Sequence, residues 1–425
     1  MTARTLDEWL SRIGGLHPRA IDPGLDRVRP VAEALDVLEL PCPVVTVAGT
    51  NGKGSTVAML ESMFAAGGYR VATYTSPHLL RYNERVRIGG VEVEDDALCA
   101  AFERVEDARG GISLSYFEFG TLAALDLFRR AAPGLAILEV GMGGRLDAVN
   151  IVEPSVALVT TIGLDHTEWL GPDRESIGRE KAGIFRRGKP AVCGDAEPPA
   201  SLLAAARELG APLYLRGRDF DAVPSGEGHW SWRGPAEVRM DLPPLALSGA
   251  FQLANAANAL MVAELLASLL PLDRRHMTQG LATARVAGRC QRLPGRVPCL
   301  VDVAHNADSA RALATVIAAE PCAGRTLAVF GALDDKDLQG MVAVLAPQVS
   351  AWYVAAPRAE RAASVGRLAD AVAAGAGAAA RIFPGLADAW RQALKDVVPG
   401  DRLLVFGSFY TAAEILSLAG SGETI

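Results

Sequence analysis

The string GTNGKGS, Gly49 to Ser55, packs glycines, hydroxyls and one lysine into seven residues. Glycines let backbone N–H groups approach an anion, a helix start adds positive potential, and a lysine reaches the outer phosphates. Thr50, Asn51, Gly52, Lys53, Gly54 and Ser55 are therefore candidate phosphate-contacting residues. The spacing is shorter than in the usual P-loop, and Gly54 separates the lysine from the hydroxyl. A plain strand-to-helix turn would account for the glycines but not for Thr50, Lys53 and Ser55 as well. Only five of the 42 basic residues are lysine, which raises the weight of each one as chemically required.

Three further residues could serve phosphoryl chemistry. Glu139 ends an apolar run immediately before the GMGG turn, so its carboxylate should emerge at the carboxyl edge of a sheet, where ligands bind. His166, in GLDHTEWLG, follows another apolar run whose strand is expected to end at Asp165. Magnesium prefers oxygen, so a histidine fits a second, more tolerant metal position; a capping or core histidine is the alternative. Lys181 sits in GREKAGIF beside Ala182, Gly183, Ile184 and Phe185. An apolar setting depresses a lysine pKa and frees the lone pair that carbamylation needs. An ordinary helix lysine paired with Glu180 is the alternative there.

These residues need a frame. From residue 40 onward, short β-branched runs alternate with helical stretches, which indicates α/β layering with a mostly parallel sheet covered on both faces. Strands are expected at 44–49, 71–75, 135–140 and 156–162, with a helix over 54–66 stopped by Gly67 and Gly68. The Gly-, Pro- and Trp-rich stretch 216–237 reads as a β-hairpin excursion or surface loop, and a long helix is expected over 254–270. The chain turns polar around 288–298 and restarts with CLVDVAH, 299–305. Strands at 326–330, 351–354, 380–383 and 402–406 complete a second, smaller Rossmann-like α/β unit of about five strands. The boundary falls near residue 290, giving an N-terminal unit over 1–290 and a C-terminal unit over 291–425.

Length and composition narrow the function classes. The 425 residues exceed one ordinary core, half of them are apolar, and the net charge is −7. That balance argues against a general nucleic-acid or anionic-membrane binder. The six cysteines are dispersed without a CxxC pair, as expected of buried thiols in a reducing cytoplasm. The start, MTARTLDEWL, has no apolar signal core, and the most apolar long stretch, 259–270, contains Glu264 and is too short for a bilayer span. A cytoplasmic location, with no membrane or nucleic-acid partner, is the expectation.

Read together, the motifs resemble the folate ligases of the Mur ligase superfamily. TVAGTNGKGS, TSPHLLRYNERVRI (75–88), SYFEFGTLAAL (115–125), ILEVGMGGRLDAVN (137–150), GLDHTEWLG, GREKAGIF, LVDVAHN (300–306) and FGSFYTAAEI (406–415) occur in order across nearly the whole chain. The resemblance implies an ATP-dependent ligase joining L-glutamate to a pteroate or folate carboxylate through an acyl phosphate. It implies bifunctional use of dihydropteroate and reduced folates, with a folate-only enzyme as the alternative. Its cofactors would be ATP and magnesium, as two ions, with potassium a candidate addition, and the chain would act as a monomer. Lys53, His166 and Lys181 would be catalytic, and Ser76, Glu139, His166 and carbamylated Lys181 would ligate metal. Asn255, Arg289, Asp302 and His305 would hold the nucleotide. Ile21, Asp22, Pro23, Thr75, Ser115, Tyr116, Phe117, Glu118, Leu146, Asp147 and Ala148 would form the pterin or folate site. SYFEF could equally be a helix start with a capping serine, IDPGLDR (21–27) a plain turn, and Arg81, Arg85 and Arg87 a solvated strand face. Ala287 replaces the proline usual before Gly288–Arg289. Only 48 residues precede Gly49, too few for the nucleotide-sugar domain of murein peptide ligases. A nucleotide-dependent switch would explain the P-loop but leave Glu139, His166, Lys181 and the second unit without a purpose.

Overall fold

The computed structural model describes residues 4–226 and 228–420, and the chain divides into two compact units. The first comprises 1–246 and 253–285, the second 247–252 and 286–425. The second unit therefore also takes 247–252 and 286–290, which a single cut at 290 leaves in the first.

Eight strands form the first unit's main sheet: β1 (Val44–Ala48), β2 (Val71–Tyr74), β3 (Val86–Ile88), β4 (Val91–Glu92), β5 (Leu135–Glu139), β6 (Val156–Val159), β7 (Ala191–Cys193) and β8 (Leu213–Leu215). Their order is β4-β3-β2-β5-β1-β6-β7-β8. All pairs are parallel except those that β3 makes with β2 and β4, so two antiparallel strands finish one edge. Every residue of β1, β5 and β6 is buried, as expected where both faces are covered and the sequence has no polar alternation. The register sets Val47 beside Glu139 and Ala48 beside Val159. The carboxyl ends of β2, β5, β1 and β6 thus lie side by side.

Local sequence fixes the helices that bracket this edge. Gly52 takes a left-handed conformation (φ 85°) and starts the helix Lys53–Ala66, which ends at Gly67. Ser115 caps Tyr116–Ala131 through a capping box with Glu118, and Asp173 caps Arg174–Ala182 with Ser176. The stretch 216–237 holds an antiparallel hairpin of β9 (Asp221–Gly226) and β10 (His229–Arg233), one of its two expected forms, and β11 (Val238–Leu242) beyond it extends the hairpin to a three-stranded sheet. Trp230 and Trp232 are buried, so the sheet has a packed face and an open one. The following helix runs Phe251–Leu265, starting and stopping earlier than expected. Residues 266–270 form turns ahead of Pro271, which disfavours helix at the residue before it.

The second unit has six strands rather than about five: β12 (Gln291–Leu293), β13 (Cys299–Val301), β14 (Thr326–Phe330), β15 (Ala351–Val354), β16 (Arg381–Ile382) and β17 (Arg402–Phe406). Their order is β12-β13-β17-β14-β15-β16. Only β12 is antiparallel, and its polar Gln291 and Arg292 hid it from an apolar-run reading. Phe330 stacks on Phe406 at 4.9 Å between centroids, and Trp352 meets both edge-on.

Candidate active site

The phosphate loop leaves β1 at Gly49. Gly49 has φ 151°, and a Cβ there would collide with the Thr160 hydroxyl; one at Gly52 would collide with the Asn255 side chain. The loop needs glycine at both positions for space as well as for conformation. Lys53 Nζ donates to the carbonyls of Gly49 (3.0 Å) and Thr50 (3.3 Å). Thr56 Oγ1 is spent on Gly52 O at 2.9 Å. Ser55 is buried at the helix start.

Thr50 and Asn51 hold the loop against the segment after β6. Thr50 N donates to Thr161 O (2.8 Å), Thr50 Oγ1 exchanges bonds with the Gly163 backbone (3.0 and 3.1 Å), and Asn51 N donates to Thr161 Oγ1 (3.0 Å). Thr160 Oγ1 returns a bond to Asn51 O at 2.6 Å. The phosphate loop and the segment leading to His166 are therefore one cross-linked assembly. His166 does not follow a strand end directly. β6 stops at Val159, and Asp165 and His166 lie in the loop beyond, because hydroxyls of Thr160 and Thr161 turn inward to bond the P-loop. His166 has φ 53°, a left-handed conformation that costs a non-glycine residue about 1–2 kcal/mol. Its N–H donates to Asp165 Oδ1 (2.9 Å), and the residue stands just before the short helix Thr167–Leu170 without a side-chain capping bond.

Glu139 is buried at the end of β5, and its Oε2 accepts from Ser76 N at 3.4 Å. Ser76 follows Thr75 just beyond β2. Lys181 is buried in the last turn of Arg174–Ala182. Burial first, then the positive charge of Lys53, lowers its pKa to about 7; Asp165 and Asp147 pull the other way. An amine that is neutral in a substantial fraction at neutral pH is thus built in. Asp147 is buried too, and burial raises it to about 6 against the N–H groups of Met142, Val149 and Gly141 that favour its charge.

The expected pterin-side residues also come together. Arg27 pairs with Asp22 (2.8 Å) and with Glu118 (2.8 Å), and donates to Asp22 O at 2.6 Å. His17 reaches Asp22 at 3.0 Å and Ser113 at 2.7 Å, while Gly24 N donates to Leu146 O (3.1 Å). These bonds join the 21–27 loop, the Ser115–Glu118 helix start and the 146–148 turn. Ile21 and Pro23 flank the anchored Asp22 in the first of these, and Ala148 begins a short 3-10 turn capped by Asp147. Ser115 is the capping serine of the simpler reading, and Glu118 completes a capping box with it. Phe117 lies 5.9 Å from Tyr74, and Tyr116 lies 5.8 Å from Tyr82 between ring centroids. Thr75 N accepts its place from the ladder by donating to Arg85 O at 2.9 Å. Arg85 is not a solvated face: it is buried, donates to His78 Nδ1 (2.8 Å) and stacks on Tyr82 and Tyr116. Arg81 and Arg87, by contrast, pair with Asp95 and Glu61 near the surface. Arg27 and His17 were missed by sequence reasoning, although Arg27 closes the IDPGLDR string itself.

In the second unit, Asp302 follows β13 and accepts from Cys290 N and Ala304 N, both at 2.7 Å, and from Cys290 Sγ at 3.4 Å. Burial raises its pKa, opposed by Arg289. His305 Nδ1 is bonded to Val303 O at 2.9 Å, and both His305 and Arg289 lie against the Phe409 ring. β13 ends at Val301, so the string read as strand through His305 is a strand followed by a loop tightened around Asp302. Asn255 belongs to the first unit and sits against Gly52.

Known proteins share this layout. The Mur ligase middle domain matches residues 47–206, and the Mur ligase glutamate ligase domain matches 288–409. A phosphate loop on a parallel sheet followed by such a second domain defines a Mur-type, ATP-dependent ligase. The dihydrofolate synthase/folylpolyglutamate synthase of Escherichia coli K12 is 46% identical over 418 residues, covering 98% of this chain and 96% of the relative. The structure of E. coli FolC with DHPP and ADP superposes with a TM-score of 0.93 at 45% identity, covering 99% of this chain and 98% of the other. A bifunctional folylpolyglutamate synthase/dihydrofolate synthase bound to Mn, AMPPNP and L-glutamate gives 0.91 at 45% identity, with 98% of each chain covered. This chain belongs to the dihydrofolate synthase/folylpolyglutamate synthase family.

Proposed function

We propose that the enzyme adds L-glutamate to dihydropteroate, giving dihydrofolate, and to the γ-carboxylate of reduced folates. The observation that carries this reading is the meeting of four adjacent strand ends, which bring Lys53, Ser76, Glu139 and the His166 loop to one edge of one sheet. The similar proteins that carry both activities in their names, and those bound to DHPP with ADP or to AMPPNP with L-glutamate, support it. The acceptor carboxylate attacks the γ-phosphorus of ATP, releasing ADP and forming an acyl phosphate. The glutamate amine then attacks the acyl carbon, and inorganic phosphate leaves as the amide forms. Phosphorylation is needed because a carboxylate is a poor electrophile and its oxygen a poor leaving group.

Lys53, with the N–H groups of 50–55, would compensate charge on the transferring phosphoryl group. Asn255, and from the second unit Arg289, Asp302 and His305, would contribute to nucleotide binding. The 21–23, 115–118 and 146–148 segments, with Thr75, would hold the pterin, Phe117 and Tyr116 offering flat apolar surface to a flat ring. Residues 1–290 would carry ATP and pterin binding and 291–425 glutamate ligation.

The donor set suits magnesium or manganese. No group of three His, Cys, Asp or Glu side chains forms a ready cage among the described residues. A carboxylate and a hydroxyl completed by nucleotide phosphates is how magnesium is ordinarily held. Ser76 and Glu139 would hold one ion, and His166 with carbamylated Lys181 a second; potassium remains a candidate for a further position. Bound metal would neutralise charge between the two anionic substrates. Lys181 fits carbamylation because its amine is buried and its pKa lowered. We take the chain to be a cytoplasmic monomer with small-molecule partners only.

Turnover with dihydropteroate and with a reduced folate as separate acceptors tests the proposal, following glutamate-dependent release of ADP and phosphate. Both acceptors should be used. Turnover of the folate alone would reduce the enzyme to a folylpolyglutamate synthase.

A further inference from the structure

Asp195 lies just beyond β7, belongs to none of the motifs above, and is buried. Its Oδ2 accepts from Ile162 N at 2.7 Å. Its Oδ1 accepts from Glu197 N at 2.9 Å and from Arg174 Nη2 at 3.0 Å. Arg174 in turn donates Nε to Ile162 O (2.8 Å) and Nη2 to Glu197 O (2.9 Å). Both backbone groups of Ile162 are thus held by one ion pair, the N–H by the aspartate and the carbonyl by the arginine.

The location gives this closure its meaning. Ile162 lies in the loop that carries His166, and its neighbours Thr161 and Gly163 are tied to Thr50 and Asn51 of the phosphate loop. Arg174 begins the helix that carries Lys181 in its last turn. The next residue, Glu175, fastens the same helix to the N–H groups of Ala200 (3.0 Å) and Ser201 (2.7 Å). A surface ion pair would leave the loop backbone unconstrained. This pair instead links the loop of one candidate metal ligand to the helix of the other, with its carboxylate out of water.

We propose that Asp195 and Arg174 are positioning residues that fix the His166 loop relative to the Lys181 helix, and so set affinity for the divalent ion those two residues serve. The inference rests on the assignment of His166 and Lys181 to that ion. Groups that orient metal ligands from behind typically change metal affinity by about 10–100-fold when removed.

The test measures Mn²⁺ binding by the full chain with AMPPNP, reading free Mn²⁺ by electron paramagnetic resonance, for Asp195→Asn, Arg174→Gln and His166→Ala. Asp195→Asn and Arg174→Gln should each weaken the tighter-responding Mn²⁺ by about tenfold. The apparent activation constant for Mg²⁺ should rise in step, while kcat at saturating Mg²⁺ and the KM for dihydropteroate stay near wild type. Should Asp195→Asn fail to melt cooperatively, Arg174→Gln decides alone, since its side chain is 40% exposed. Unchanged Mn²⁺ affinity in these variants, with affinity lost in His166→Ala, would overturn the positioning role. Unchanged affinity in His166→Ala as well would overturn the ion assignment beneath it.

Discussion

Lys53 and Lys181 are two lysines in one electrostatic neighbourhood, and the proposed mechanism gives them opposite tasks. Lys53 is bonded to its own loop carbonyls, and in its proposed role it must stay charged to meet phosphate. Its charge helps to lower the pKa of Lys181 to about 7, from an ordinary value of 10.5. Lys53→Ala and Glu139→Ala should each cut ligation by about 10²–10³ with the fold intact, the usual effect of losing one preorganised electrostatic contact. Near-normal turnover at saturating magnesium would remove the residue from the mechanism. For Lys181 the sign is set by the lowered pKa: the amine is neutral above about pH 7 and protonated below it. Only the neutral amine adds carbon dioxide, so activity after equilibration in CO₂-depleted buffer should recover on adding bicarbonate at pH 8, and poorly at pH 6. Lys181→Ala should lose most activity and regain part of it with acetate or formate, and full activity without additive would exclude an anionic role. The sequence carried these residues plainly, because each sits in a short string whose composition is tied to its chemistry. It did not carry the partners that hold them. Asp195 and Arg174 are 21 positions apart with no pattern linking them, and only the fold brings them to Ile162.

Among the elements, β1, β14, β15 and β17 were legible because parallel strands buried on both faces are near-continuous apolar runs, and the helix after β1 because Gly67 and Gly68 stop it. β12 was not, since two of its three residues are polar, and neither was β11, which lies beyond the expected hairpin and whose mixed burial gives no clean alternation. The pterin-side elements were legible as strings but not as a unit. Arg27 makes them one, spanning Asp22 in its loop and Glu118 in the helix cap. Arg27→Met keeps apolar bulk but leaves the buried Glu118 without its cation. Hydrogen bonds to charged groups contribute about 1.5–3 kcal/mol, so denaturant unfolding should show a loss of that order. The KM for dihydropteroate should rise severalfold while that for ATP stays constant. A matching rise in both would mean that Arg27 supports the whole unit rather than the acceptor side.

At the scale of the whole molecule, residues assigned to ATP occur in both compact units, Lys53 in the first and Asp302 and His305 in the second. Residues 1–290 expressed alone should therefore bind nucleotide weakly and ligate nothing, and a folded, active fragment would contradict that division of labour. No helix among the described residues is long and apolar enough to cross a membrane. All of these assignments converge on one chemical event, transfer of the γ-phosphoryl group to an acceptor carboxylate before the amide forms. Dihydropteroate labelled with ¹⁸O in its carboxylate, incubated with ATP and L-glutamate, tests that event directly. Mass spectrometry of the released phosphate should find one ¹⁸O per amide bond made. Phosphate free of label, alongside normal dihydrofolate formation, would contradict an acyl phosphate and the site built around it.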